Sequence, residues 1–163
     1  MTSKELREME FQGFVTVQDL MKSMSCVPDS KGVYAILRFS SEKPQFLKVG
    51  TGGHFKDKDP NVPVSELENN WVDDTDIMYI GKAGSLTGSA SLRSRLNQYM
   101  KFGQGNKIGH WGGRYIWQLA DSKSLTVCWL PTPDQDPEDV EKNLIQNFKL
   151  AHCGYRPFAN LKD

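Results

Sequence analysis

Asp76-Ile77-Met78-Tyr79-Ile80-Gly81-Lys82-Ala83, followed across Gly84–Ser91 by Leu92-Arg93-Ser94-Arg95-Leu96-Asn97-Gln98-Tyr99, decides how this chain is read. Aromatic and β-branched residues in the first segment predict a strand. The small residues from Gly84 to Ala90 predict a flexible loop, and Ser91 is placed to cap a helix running to about Phe102. On that helix Leu92, Leu96, Tyr99 and Met100 share one face, and Arg95 lies one turn from Tyr99. Tyr79 and Lys82 fall toward the end of the strand, where side chains converge on ligands.

Upstream, Gly32–Phe39 is rich in strand formers, and Gln45–Gly50 reads as its hairpin neighbour through the polar turn Ser40–Pro44. Residues 1–30 read as an N-terminal helical cap, with Val17, Leu20, Met21 and Met24 at helical spacing behind Thr16 as N-cap. Glycine, proline and alternating charge predict a loop over Thr51–Pro63, then a short helix over Val64–Trp71. Downstream, a glycine-rich passage from Gly103 to Gly113 leads into a short helix at Tyr115–Leu119, and Leu125–Leu130 reads as a strand. Asp136 as N-cap and Pro137 at the first helical position open a final helix, expected to run to about His152.

At 163 residues the chain suits one domain able to bury a core unaided. No apolar run approaches the roughly 20 residues of a membrane span, and the opening Met1–Arg7 is polar, so a soluble, cytoplasmic protein is expected. Cys26, Cys128 and Cys153 are widely separated and lack zinc-ligand spacing; they read as small, mostly buried residues. The formal net charge is zero, which is not the basic excess typical of a nucleic-acid binder. Its distribution is uneven, however. Lys82, Arg93, Arg95, Lys101, Lys107 and Arg114 follow one another with no Asp or Glu between them, which fits either a solvated basic face or a phosphate-facing side.

Glu141 is the sharpest chemical signal, because it falls inside the apolar stripe of Val140, Leu144, Phe148 and Ala151. Such a carboxylate either bends to water at the edge of the sheet or needs a cation, hydrogen bonds or a raised pKa. A Mg²⁺ ion would answer that need, since hard divalent ions take one or two carboxylates plus water and phosphate oxygens. Arg95 on Tyr99 is either an exposed stack or a phosphate fork. Arg93 faces elsewhere and suits a backbone contact. Tyr34, in Gly32-Val33-Tyr34, and Tyr79 are ordinary strand residues taken singly; as bases, phenols of usual pKa near 10 need help from Lys82 or a metal. His110, in Ile108-Gly109-His110-Trp111-Gly112-Gly113-Arg114, reads as a phosphate contact, an acid or base, or a structural turn residue. Phosphate-loop, serine-elbow and zinc-helix motifs are absent.

The ordered set Tyr34, Tyr79, Lys82, Arg95, Tyr99, Glu141 and Asn160 resembles the GIY-YIG nuclease superfamily, over Gly32 to Asn160. The resemblance implies an α+β fold: a small central antiparallel sheet flanked by helices, within residues 31–163. The gap between Tyr34 and Tyr79 exceeds the usual short hairpin, which marks about 43–75 as an insertion. It implies a divalent-metal-dependent endonuclease acting on DNA, with RNA as the other polymer. Tyr34, Tyr79, Arg95, Tyr99 and Glu141 would be catalytic, and Glu141 would hold Mg²⁺ or Mn²⁺. Tyr34 would be the general base, with Tyr79 and Tyr99 positioning. The resemblance implies Lys82 and Asn160 as substrate contacts, and Arg93, His110 and Arg114 join them on the reading of the basic stretch itself. The competing expectation is a silent binding module on the same scaffold.

Overall fold

A computed structural model describes residues 1–163. Four strands form one antiparallel sheet: β1 (Gln12–Thr16), β2 (Gly32–Leu37), β3 (Ile77–Ala83) and β4 (Thr126–Pro131), in the order β1-β4-β2-β3. Five helices flank it: α1 (Ser3–Glu8), α2 (Val17–Lys22), α3 (Val64–Asn70), α4 (Leu92–Gly103) and α5 (Pro137–Ala151). The fold is thus α+β, and no helix is long and apolar enough to cross a membrane.

Local chemistry sets the helix starts. The Thr16 hydroxyl accepts from the Asp19 N–H, Ser91 forms a reciprocal capping box with Ser94, and Asp136 accepts from the Glu138 N–H ahead of Pro137. β2 lies inside the sheet and all six of its residues are buried. Its alternation divides the core in two. Tyr34 and Ile36 face α2 and α4, joining Leu20, Leu92, Leu96 and Tyr99. Val33, Ala35 and Leu37 face α1 and α5, joining Leu6, Leu144, Ile145 and Phe148.

β3 carries a bulge just before the site. Ile36 pairs with Tyr79 whereas Leu37 pairs with Ile77, so Met78 is the extra residue. Met78 and Tyr79 both join the α4-side core, while Ile77 and Ile80 join the α5 side. The outer edge of β3 is covered by the C-terminal segment, whose Ala159 N–H donates to the Met78 carbonyl at 2.8 Å.

Several expectations are corrected. Residues 1–30 are not purely a helical cap, because Gln12–Thr16 supplies the sheet's edge strand β1. Gln45–Gly50 is not the hairpin partner of β2; that place is taken by β3 and β4, and Phe46 makes one isolated bridge to Leu119. The 43–75 segment is instead sewn to residues 114–119. The buried Gln118 amide donates to the Leu47 and Val62 carbonyls and accepts from the Val62 N–H, and the Tyr115 hydroxyl donates to Glu66. Ala151 is exposed, and Ile145 takes its place on the buried face of α5. Of the cysteines only Cys128 is buried.

Candidate active site

Tyr34, Tyr79 and Tyr99 meet on the α4 side of the sheet. β2 delivers Tyr34 opposite Gly81, β3 delivers Tyr79 opposite Ile36, and α4 delivers Tyr99. The ring centroids are 6.0 Å apart for Tyr34–Tyr79, 6.4 Å for Tyr34–Tyr99 and 5.8 Å for Tyr79–Tyr99. His110 stacks on Tyr99 at 4.1 Å with the planes 10° apart, and its Nε2 lies 3.4 Å from the Tyr34 hydroxyl. Its Nδ1 has no partner.

Burial dominates the electrostatics of this cluster. Loss of solvent pushes the Tyr34 and Tyr99 phenols well above 10, with repulsion among the phenols adding to it and Arg95 opposing it. Tyr79 is pushed up to about 12, by burial and then by the Glu141 charge, again against Arg95. Burial, then Arg95, holds the His110 imidazole well below 6.5 and hence neutral.

Of the three phenols, only Tyr79 borders open space. It is 8% exposed and forms one wall of a cleft of about 280 Å³, with Glu141, Trp111, Ile145, Leu161 and Lys162 among its other walls. Glu141 is half-buried and has no ion-pair partner within 4 Å. Burial raises its pKa, against the pull of Lys82. A larger hollow of about 650 Å³ lies beside Arg38 and Trp71, but none of the candidate residues reaches it.

The remaining candidates divide. Arg95 is half-buried and has no carboxylate partner; its guanidinium donates only to Gln98 Oε1, at 3.2 Å, while its charge acts on all three phenols, His110 and Glu141. Arg114 stacks on Trp111 and Tyr115, and its buried Nε has no partner. Four of the expected substrate contacts have partners or burial within the fold. Arg93 donates from Nε to the Val27 carbonyl at 2.8 Å, which ties α4 to the chain before β2. Lys82 is held by Glu138 at 2.7 Å. His110 is wholly buried. Asn160 turns its amide onto one β3 peptide: Oδ1 accepts from the Ile80 N–H at 2.9 Å and Nδ2 donates to the Ile80 carbonyl at 2.8 Å.

Tyr99 is also committed, its hydroxyl donating to the Gly113 carbonyl at 2.7 Å. Tyr34 is 1% exposed, which places it behind Tyr79. Sequence reasoning assigned no role to Trp111, Ile145 or Lys162 in the cleft. A tryptophan set among glycines, in Gly109-His110-Trp111-Gly112-Gly113, was the available signal for the first.

No three His, Cys, Asp or Glu side chains are assembled as a metal cage. A cation at Glu141 would therefore take one protein carboxylate and fill its shell with water and phosphate oxygens. That arrangement suits Mg²⁺ or Mn²⁺. No family model matches the chain, and neither a curated protein nor a solved structure is significantly similar to it.

Proposed function

We propose that this protein is a divalent-metal-dependent endonuclease of the GIY-YIG type that hydrolyses phosphodiester bonds in DNA. One observation carries the reading: Glu141 and Tyr79 border the same cleft, and the unpaired Arg95 charge acts on both. Leaving a half-buried carboxylate without a cation in direct contact is costly for folding alone.

Glu141 is the residue that would hold Mg²⁺ or Mn²⁺, and a divalent ion there supplies Lewis-acid charge to the scissile phosphate. Tyr79, not Tyr34, is the phenol that meets the attacking water, because Tyr34 lies behind it and has no route to the cleft. At about 12 the Tyr79 phenol is protonated at neutral pH. Burial and then the Glu141 charge keep it so, against Arg95, so Tyr79 serves as base only after its own proton has passed to solvent, and the phenolate then takes a proton from the attacking water. Arg95 also opposes the charge that builds on the phosphate in the transition state. Tyr34 and Tyr99 fix the Tyr79 ring by packing.

Nicking of supercoiled plasmid, with and without Mg²⁺ or Mn²⁺, tests the proposal. Arg95→Ala is expected to slow nicking by about 10²–10³-fold, and Tyr79→Phe to slow it more than Tyr34→Phe does. Parent-rate nicking by Glu141→Gln sinks the assignment, and binding of DNA without any nicking points to the silent module.

A further inference from the structure

We propose that the cleft beside Glu141 seats the base of one unpaired nucleotide against Trp111, so that the favoured substrate is single-stranded or locally opened DNA rather than intact duplex. The inference rests on the endonuclease reading of the same site and names its substrate class.

The walls are the first argument. Holding a metal-bridged phosphate calls for Glu141 and water, yet the cleft is also faced by Trp111, Ile145 and Leu161. Glu141, Tyr79 and Lys162 serve the phosphate, whereas the apolar walls favour the flat face of a base beside it. Size is the second. A cleft of about 280 Å³ falls just below the range of small-molecule sites, roughly 300–1,000 Å³, and admits one planar group but not a base pair.

The platform is the third argument. The Trp111 ring carries the Arg114 guanidinium with Cζ 4.7 Å from its centroid, and Arg114 has no ion-pair partner. An aromatic ring backed by a free cation is the combination that single-strand binders use, with stacking for the base and charge for the neighbouring phosphate. The loop bearing it is fixed in advance: the Tyr99 hydroxyl holds the Gly113 carbonyl, and Gly113 sits at φ 75° where a Cβ would come within 2.7 Å of that hydroxyl. A fixed platform spends little ordering entropy on binding. Asn160 has both amide groups committed to Ile80 and does not read base edges, so recognition by stacking tolerates any base.

The test is titration of the full-length Glu141→Gln protein, without metal, using oligothymidylate and a hairpin duplex of equal length and following tryptophan fluorescence. Quenching by the single strand that is lost in Trp111→Phe, with several-fold weaker binding of the duplex, is the expected result. Trp111→Ala is expected to lose about tenfold or more in single-strand affinity, and Trp111→Phe, which keeps a ring, much less. Equal affinity for duplex and single strand, or parent affinity in Trp111→Ala, overturns the inference. The two proposals separate cleanly. Trp111-dependent binding by a parent protein that never cuts leaves this subsite standing and removes the nuclease reading; metal-dependent nicking untouched by Trp111→Ala does the reverse.

Discussion

The Tyr34 ring fills the space that a side chain on Gly81 would need. The two residues face each other across β2 and β3, and a Cβ on Gly81 would lie 2.6 Å from Tyr34 Cζ and 2.7 Å from its hydroxyl. The glycine in Tyr79-Ile80-Gly81 is therefore a packing requirement of the phenol cluster. Gly81→Ala is expected to destabilise the fold by about 1–3 kcal/mol, the usual cost of overpacking a filled core. Urea denaturation measures it. A parent-like midpoint would show that the ring moves aside freely.

Asn160 answers two backbone groups on the edge strand. Asn160→Leu leaves the Ile80 N–H and carbonyl without those partners, at about 1–3 kcal/mol for each buried group left unsatisfied. A fall in Tm of roughly 5–15 °C follows for a chain of this size. Unchanged Tm with weakened DNA binding would return Asn160 to the substrate contacts.

Glu141 is expected to oppose stability while serving function. Burial raises its carboxyl above 4.5, so the folded state prefers the protonated form. That preference stabilises the fold below 4.5 and is lost as pH rises through the folded value, leaving the ionised carboxylate a net burden at neutral pH. Glu141→Gln should raise Tm at neutral pH, with the gain vanishing in acid. The same change removes a charge that holds Tyr79 up at about 12, so the phenol should titrate earlier. Tyrosinate absorbance of Glu141→Gln, differenced against the same protein carrying Tyr79→Phe, reads this directly. No downward shift would break the coupling between carboxylate and phenol.

His110 predicts a loss of stability in mild acid. Its imidazole is held well below 6.5 by burial and then by Arg95, so the unfolded chain takes up a proton first. The stability it contributes is present above 6.5 and lost as pH falls through the folded value. His110→Phe keeps the stack on Tyr99 and removes the titration. Denaturation midpoints of parent and variant should diverge with pH across that range, and parallel curves would place the imidazole in contact with water.

Much of the local structure was legible in the amino-acid sequence. Thr16, Ser91 and Asp136 marked helix starts because capping is settled within three residues of chain. The strand at Tyr79, the helix carrying Arg95 and the half-buried Glu141 followed from periodicity, which is also short-range. The pairing of strands was not legible. Gln45–Gly50 has the composition of a partner for β2, but β3 and β4 take both of its edges, and the choice among partners sums contacts over the whole chain.

Sequence alone, then, determined which phenols, cation and carboxylate this protein possesses and the kind of element each one rides on. Tertiary structure decided which of them a ligand can reach. Unbroken register from Ala83 back to Tyr79 set Tyr79 opposite Ile36, on the face of Tyr34 and Tyr99, and the bulge at Met78 turned Ile77 to the other face. Burial closed Tyr34 and His110 away from solvent, and both amide groups of Asn160 were taken by Ile80. Register and solvent exposure depend on contacts between residues far apart in the chain, whereas caps and periodicity depend on near neighbours.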